Sequence, residues 1–274
     1  MPEQPADDDR EAVLARLDLN TPHSARVWNY WLGGKDNYGP DRAMGDQVLQ
    51  YFPEIVDAAR ADRAFLGRAV RHLVGDAGIR QFLDLGTGLP TANNTHEVAQ
   101  RLAPDARIVY VDNDPLVLVH AQALLTSSPE GVTDYLDGDV HDPGTILEGA
   151  ARTLDFEQPI ALMLLGIMQF VNDDEESYEI VDRLVAALPS GSYLALAHPT
   201  AEVHTEAMTA AVASWNEQGS APMKLRSREQ LLRFFEGLEL LEPGVVSCSR
   251  WRADQPEIGE IVDVTQFCGV ARKP

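Results

Sequence analysis

Phe82-Leu83-Asp84-Leu85-Gly86-Thr87-Gly88-Leu89-Pro90-Thr91 is the stretch that decides how this chain folds. Its first four residues read as a buried strand, which runs into a tight turn with two glycines and then toward a helix. Glycine belongs where the backbone turns with positive φ or where a ligand must lie against it. In an open α/β sheet such a turn sits at the carboxyl end of a strand, beside the crevice in which ligands bind. Asp84, Gly86, Thr87 and Gly88 are therefore candidate binding residues. A Gly-x-Gly turn alone is also compatible with a purely structural βα connection.

Two further acids give the turn its meaning. Val109-Tyr110-Val111-Asp112 ends the next strand with a carboxylate 24 residues after Gly88, with Asn113 beside it. That spacing is close to the interval of about 20 residues at which an acid meets ribose hydroxyls in nucleoside-binding folds. A third acid stands in Leu136-Asp137-Gly138-Asp139-Val140-His141. Asp139 is placed to accept from an adenine amino group while Val140 packs on the ring.

Charge then separates two nucleoside cofactors. A pyrophosphate wants helix N-terminal amides and no adjacent anion, whereas S-adenosylmethionine carries an ammonium and a sulfonium. Asp84 lies two residues before Gly86, and no Lys or Arg occurs between Gln81 and Gln100. Thr91 stands where a dinucleotide-binding turn has its third glycine. The expected cofactor is S-adenosyl-L-methionine, with S-adenosyl-L-homocysteine as its product, and a nicotinamide dinucleotide is disfavoured.

Outward from the turn, strands and helices alternate. Strands are expected at Gln81–Leu85, Arg107–Val111, Val132–Leu136, Ile160–Leu165 and Ser192–Ala197. Two closing strands follow near Glu239–Val246 and Val264–Ala271, with no helix between them. Helices are expected near 40–50, 54–74, 91–102, 115–125, 174–188, 202–217 and 228–236. Pro115 suits a first helical turn, and Ser227 with Gln230 forms a capping-box pattern. Alternation predicts a parallel sheet covered on both faces, and the closing pair predicts an antiparallel hairpin at one edge. Without a repeat or a low-complexity linker, residues 1–274 read as one domain: an N-terminal helical arm over 1–60 and a core over 61–274. Val13, Leu14 and Leu17 share one face of a helix at the start of that arm.

Composition narrows the partners. The 274 residues carry 22 Lys plus Arg against 43 Asp plus Glu, a formal charge of -21, and 45% are hydrophobic. A field of that sign repels phosphate backbones and anionic lipid heads, so neither nucleic acid nor a membrane surface is an expected partner. The apolar run Ile160 to Val171, about 12 residues, is shorter than the roughly 20 a spanning helix needs. Met1 to Asp9 is polar and acidic, without the pattern of a secretory signal, so a cytoplasmic location is expected. Cys248 and Cys268 fit no metal spacing and read as reduced, half-buried residues, and no metal site is expected.

The Asp84-Leu85-Gly86-Thr87-Gly88 turn, Asp112 and Asp139 together resemble the first three motifs of class I S-adenosylmethionine-dependent methyltransferases. Ser24–Asp41, with its Trp/Tyr-rich run into Leu32-Gly33-Gly34-Lys35-Asp36-Asn37-Tyr38, and Gly191-Ser192-Tyr193-Leu194-Ala195-Leu196-Ala197-His198 resemble a bacterial S-adenosyl methyltransferase family of largely undefined substrate. The resemblance implies a Rossmann-like α/β fold of seven strands, ordered 3-2-1-4-5-7-6 with strand 7 antiparallel. It also implies that Gly166 and Gln169, in the Leu165-to-Val171 segment after the fourth strand, belong to the cofactor site. Two departures stand out: Pro90 occupies a position where many members have a third glycine, and Gln169 one where histidine is common. Glutamine hydrogen-bonds but cannot serve as a base at neutral pH.

Methyl transfer from a sulfonium needs alignment more than side-chain chemistry, so these motifs name no obligatory catalytic group. His198, Tyr38 and His141 are the candidate bases, with His141 better placed to line the adenine pocket. Trp28, Tyr30, Trp31 and Tyr38 are expected to cover the crevice as a lid hinged at Gly33-Gly34, and Trp251 with Arg252 to supply a further acceptor wall. A small organic metabolite is the expected acceptor. The alternative is a non-enzymatic sensor or scaffold that binds S-adenosylmethionine without turnover.

Overall fold

The computed structural model describes residues 18–90, 93–124, 127–219, 221–253 and 260–274. Thr91, the end of the expected 115–125 helix and the face of Val13, Leu14 and Leu17 lie outside them.

The sheet grows from β1 (Gln81–Leu85), whose five residues are all buried. A central parallel strand is covered on both faces, so burial does not alternate along it, and even Gln81 and Asp84 are buried. β2 (Arg107–Asp112) and β4 (Ala161–Leu165) pair with it in parallel. β3 (Val132–Asp137) extends the sheet beyond β2, and β5 (Tyr193–Pro199) extends it beyond β4. β8 (Gln266–Arg272) then pairs antiparallel with β5.

The expected sixth strand is present as two short pieces, β6 (Glu239–Leu240) and β7 (Val246–Ser247), both paired antiparallel with β8. Pro243 between them has no N–H to give to a ladder, and Gly244 closes a turn by donating to Leu241 O at 2.8 Å. The order β3-β2-β1-β4-β5-β8-β6 is the expected 3-2-1-4-5-7-6, with an eighth strand created by that interruption.

Seven of the nine helices described coincide with expected ones. They are α2 (Gly39–Tyr51), α3 (Ile55–Gly75), α4 (Thr95–Leu102), α5 (Pro115–Leu124), α7 (Asp174–Ala186), α8 (Thr205–Gln218) and α9 (Arg228–Arg233). Ser227 caps α9 as its sequence implies, accepting from Gln230 N at 3.2 Å. Two helices were not expected. α1 (Ser24–Trp31) is built from the aromatic run itself. α6 (Pro143–Ala150) is only eight residues long and shows little periodicity. Its start was nonetheless written in Asp142-Pro143: Asp142 accepts from Thr145 N at 3.2 Å, and Pro143 fills the first turn.

Strand pleating divides the core. Leu83 and Leu85 of β1 face a cluster with Val109, Val111, Leu162, Leu164 and helices α6, α7 and α9. Phe82 faces the other cluster, with Ile108, Tyr110, Met163 and helices α3 and α4. A third cluster joins α1 and α2 to α8 through Val27, Trp31, Val48, Phe52, Met208 and Trp215. The N-terminal arm thus has its own apolar seam, made with a helix that follows β5. Trp251 belongs to the second cluster: it is fully buried, edge-on to Phe65 at 5.3 Å. It is therefore core, not an acceptor wall, and Cys248 and Cys268 nearby are fully buried rather than half-buried. Among the described residues no helix is long and apolar enough to cross a membrane.

Candidate active site

The carboxyl ends of β1, β2 and β4 open on one cavity of about 350 Å³, within the range of small-molecule pockets. Gly86 and Gly88 turn the chain away from β1 at φ of +70° and +64°. The two glycines have different second reasons. A Cβ on Gly86 would overlap the side chain of Ile167, whereas a Cβ on Gly88 would have only Ala25 near it, at 4.0 Å. Gly86 is thus a packing contact, and Gly88 leaves space on the cavity side.

Asp112 is buried where β2 ends. Its Oδ2 accepts from Gly88 N at 2.8 Å and its Oδ1 from Asp114 N at 3.0 Å. Burial pushes its carboxyl above the usual range, although these two amides oppose the shift. Each oxygen keeps a second lone pair, the arrangement a ribose diol requires. Asp114 is itself paired with His23 at 3.0 Å, which ties the residue before α1 to the turn after β2.

Asp84, one strand over, accepts from Thr95 Oγ1 at 2.6 Å. Burial pushes its carboxyl up to about 7, against the pull of the Thr95 hydroxyl and Arg63. Asp139 is exposed and holds its turn by accepting from His141 N at 3.0 Å, while Val140 beside it is buried. Asn113, Asp139, Val140 and His141 all line the cavity. His141 Nδ1 lies 3.0 Å from Glu176 Oε1 at the rim.

After β4 the chain turns at Gly166, φ +75°, into a 3-10 turn over Met168–Phe170. Gln169 donates from Nε2 to Gly166 O at 2.7 Å, which fixes the amide and leaves its buried Oε1 without a partner. All ten expected cofactor-site residues (Asp84, Gly86, Thr87, Gly88, Asp112, Asn113, Asp139, Val140, Gly166 and Gln169) line this one cavity.

The candidate bases fare differently. His198 is fully buried and absent from the cavity lining. Its Nδ1 is 2.8 Å from Pro199 O, and its Nε2 is 2.9 Å from Nη1 of Arg226. With Nδ1–H donating and Nε2 accepting, no lone pair is left for a substrate. Burial and the Arg226 charge push its pKa down to about 3. His198 is therefore a core histidine, not a base.

Arg226 itself uses all five N–H donors. They go to His198, Met168 O, Val171 O, Ser177 and Asp174 at 2.8–3.0 Å. Two of those bonds hold the 3-10 turn that carries Gln169. Tyr38 is half-buried over Leu89, Leu116 and Val117, outside the cavity, with the Arg26 guanidinium 5.7 Å from its ring. It is a packing residue.

Trp28 and Trp31 do line the cavity, as a cover over the crevice requires. Gly33-Gly34 is not a loose hinge. Gly33 has φ +79°, and a Cβ on Gly34 would overlap the amide of Asn29. Asn29 Oδ1 accepts from Asp36 N at 3.1 Å and Asn37 Nδ2 at 2.9 Å. The polar Lys35-Asp36-Asn37 segment is thereby bound back onto α1.

The lining also includes residues the motifs did not reveal: Asp62 and Arg63 on α3, Thr95 on α4, and Gln266 at the start of β8. They come from elements far apart in the chain, and no short spacing joins them to the glycine turn.

The residues fit S-adenosylmethionine. Four aspartates but a single Arg or Lys, Arg63, line the cavity among the described residues. That balance suits a cationic nucleoside and not a pyrophosphate. Arg63 is turned to Asn93 O at 3.2 Å and Asn94 Oδ1 at 3.4 Å. Gln169 Oε1 is left without a hydrogen-bond donor.

Comparison with known proteins agrees. The profile of the S-adenosyl methyltransferase family matches residues 10–274. The crystal structure of a duf574 family protein from Streptomyces avermitilis MA-4680 is 44% identical. The match covers 94% of this chain and 100% of that one, with a TM-score of 0.90. A methyltransferase candidate from Thermobifida fusca YX is 39% identical over 93% of this chain and 97% of that one, with a TM-score of 0.82. Among curated proteins none matches. A family match over almost the whole chain, on a sheet whose strand tips gather the expected carboxylates, establishes that this protein belongs to the S-adenosyl methyltransferase family and is an S-adenosylmethionine-dependent enzyme.

Proposed function

We propose that the enzyme methylates a small organic acceptor held beside the strand tips under the N-terminal helices. The observation that carries this reading is the continuity of the cavity. It runs from Asp112 and Asp139 past Gly166 to a chamber walled by α1, α2 and α8. A chamber closed by helices on several sides suits a molecule of metabolite size better than a length of polymer. It also speaks for turnover over a sensor, because a sensor needs no room beyond its ligand.

In this reading Asp112 takes the ribose hydroxyls, Asp139 and Val140 the adenine, and the turn from Gly86 to Gly88 lies along the cofactor. Asp84 faces its cationic end. Bound there, the cofactor supplies an electrophilic methyl with a neutral thioether leaving group. The protein's own share is alignment and exclusion of water. Trp28 and Trp31 serve the second task, so the described part of the N-terminal arm, from residue 18 to the start of α3, acts as a cover on the core.

Titration calorimetry with S-adenosylhomocysteine tests the cofactor half. Micromolar or tighter binding is expected, and no binding of either methyl donor or product would overturn the reading. Release of S-adenosylhomocysteine on adding small-molecule pools, and its absence with protein or RNA fractions, tests the acceptor half.

A further inference from the structure

The half of the cavity beyond Gly166 is chemically lopsided. Its wall is apolar and aromatic: Trp31, Ile55, Phe170, Met208, Val212 and Trp215 all line it. The indoles are not free to bind a polar ligand. Trp31 Nε1 donates to Gly45 O at 3.3 Å and Trp215 Nε1 to Ala221 O at 2.7 Å.

At the other pole stand Asp62, Gln169 and Gln266, which are 5%, 7% and 4% exposed and line the same space. Both glutamine amides converge on Gly166. A Cβ built there would lie 3.7 Å from Gln169 Nε2 and 3.9 Å from Gln266 Nε2.

One N–H of each glutamine amide is already committed. Gln169 Nε2 goes to Gly166 O at 2.7 Å, and Gln266 Nε2 reaches Asp62 Oδ1 at 3.5 Å. What the pole leaves unmet is acceptor capacity: the Asp62 carboxylate, with one long hydrogen bond and a thiol 4.0 Å away, and the orphaned Gln169 Oε1. The orphan is an observation independent of the carboxylate, and it asks for the same thing. A buried acceptor without a donor is left with its desolvation penalty uncompensated. Burial pushes the Asp62 carboxyl up to about 6, with Arg63 and Gln266 restraining the rise. A ligand that supplies positive charge and N–H donors relieves both groups.

We propose that the acceptor of this enzyme is a compact aromatic or alicyclic amine, its ring among the tryptophans and its nitrogen held by Asp62 and Gln169 Oε1. Asp62 would take one proton from the bound ammonium. The lone pair so freed would form the N–C bond as the sulfonium S–C bond breaks, the thioether leaving neutral and the methylated nitrogen keeping the positive charge. Carboxylate- and phosphate-bearing acceptors are excluded by the same two groups. Asp62 is then the specificity-determining residue of the reaction, set on the helix that also brings Arg63 to the cofactor turn. The inference rests on the proposed reading of the site as one that takes a small acceptor.

The test uses the full chain saturated with S-adenosylhomocysteine, whose binding is measured first. Failure at that step sinks the cofactor reading and not this one. Two matched series are then compared by ligand-observed NMR: phenethylamine, 2-phenylethanol and phenylacetate, and tryptamine, tryptophol and indole-3-acetate. At least one amine is expected to bind ten-fold or more tightly than its carboxylate, with the alcohol between them.

Asp62→Asn, which is nearly isosteric and removes a buried charge, is expected to keep S-adenosylhomocysteine affinity within two-fold and to shrink the amine preference below two-fold. Gln169→Met is expected to weaken the amine several-fold. Carboxylates binding as well as amines, no amine binding at all, or an unchanged preference in Asp62→Asn would overturn the proposal. So would loss of S-adenosylhomocysteine in that variant, since Asp62 would then belong to the cofactor.

Discussion

Gly88 N donates to Asp112 Oδ2 at 2.8 Å, joining the turn after β1 to the acid that ends β2. Two positions whose spacing alone suggested a shared ligand are thus in direct contact before any ligand arrives. The bond orients the carboxylate and, with Asp114 N on Oδ1, leaves one lone pair on each oxygen for a diol.

Asp112→Ala is expected to cost about 1–3 kcal/mol of cofactor affinity through lost charge-assisted hydrogen bonds, a drop of about five- to 150-fold by calorimetry. Because Gly88 loses its partner as well, Asp112→Asn is expected to retain more affinity than Asp112→Ala. Equal affinity in wild type and Asp112→Ala would remove Asp112 from the ribose.

Asp84 gives the free protein a pH dependence of defined sign. Its folded pKa, about 7, lies above the unfolded value near 3.8. The unfolded state therefore releases its proton first. The Asp84 contribution is most favourable below pH 4 and is lost as pH rises from about 4 to 7, at up to roughly 1.4 kcal/mol per unit. Asp84→Asn is expected to raise the denaturation midpoint at pH 8 and to weaken S-adenosylhomocysteine binding there. A variant no more stable than wild type at pH 8 contradicts the assignment.

For His198 the sign is opposite. Its folded pKa of about 3 is below the unfolded 6.5, so the stability it confers is complete above pH 6.5 and drains away as pH falls toward 3. His198→Ala strands one Arg226 donor in the core and is expected to lose about 1–3 kcal/mol of stability at pH 7.5. Cofactor affinity should stay within a few-fold. A variant of full stability that binds S-adenosylhomocysteine but turns over a thousand-fold more slowly would restore His198 as a base.

Gly34 is a position where the smallest side chain is already too large. Gly34→Ala forces the Asn29 amide aside and breaks its bonds to Asp36 N and Asn37 Nδ2. Overpacking of this kind costs roughly 1–3 kcal/mol. Chemical denaturation of Gly34→Ala should show it, alongside a smaller loss in Asn29→Ala, which leaves the space open. A Gly34→Ala protein as stable as wild type would mean that the turn tolerates a looser fit.

Much of the architecture was legible in the residues taken in order. Strand limits at Gln81–Leu85 and helix limits at Asp174 and Arg228 follow from apolar runs, caps and prolines, all local signals. α6 escaped because eight residues show too few turns for periodicity, although its cap was written in Asp142-Pro143. α1 escaped because aromatic residues are middling helix formers, and its helicity comes from packing Val27 and Trp31 against α2 and α8. Closure of the sheet's last strand into β6 and β7 was readable only as a strand, with Pro243 overlooked.

By itself the sequence determined the doubly covered sheet, the turn at Gly86 and Gly88, and the cofactor acids, because each is encoded within one strand and the few residues after it. Tertiary structure alone decided which histidine is sequestered, why Gly34 is glycine, and that Asp62, Gln169 and Gln266 share one wall. The last of these joins groups about 100 to 200 positions apart across β4, β8 and α3, whereas His198 meets Arg226 28 positions on and Gly34 meets Asn29 through the turn that ends α1. No local pattern of hydrophobicity or charge carries information about such a meeting, since it is set by how the packed layers close on one another.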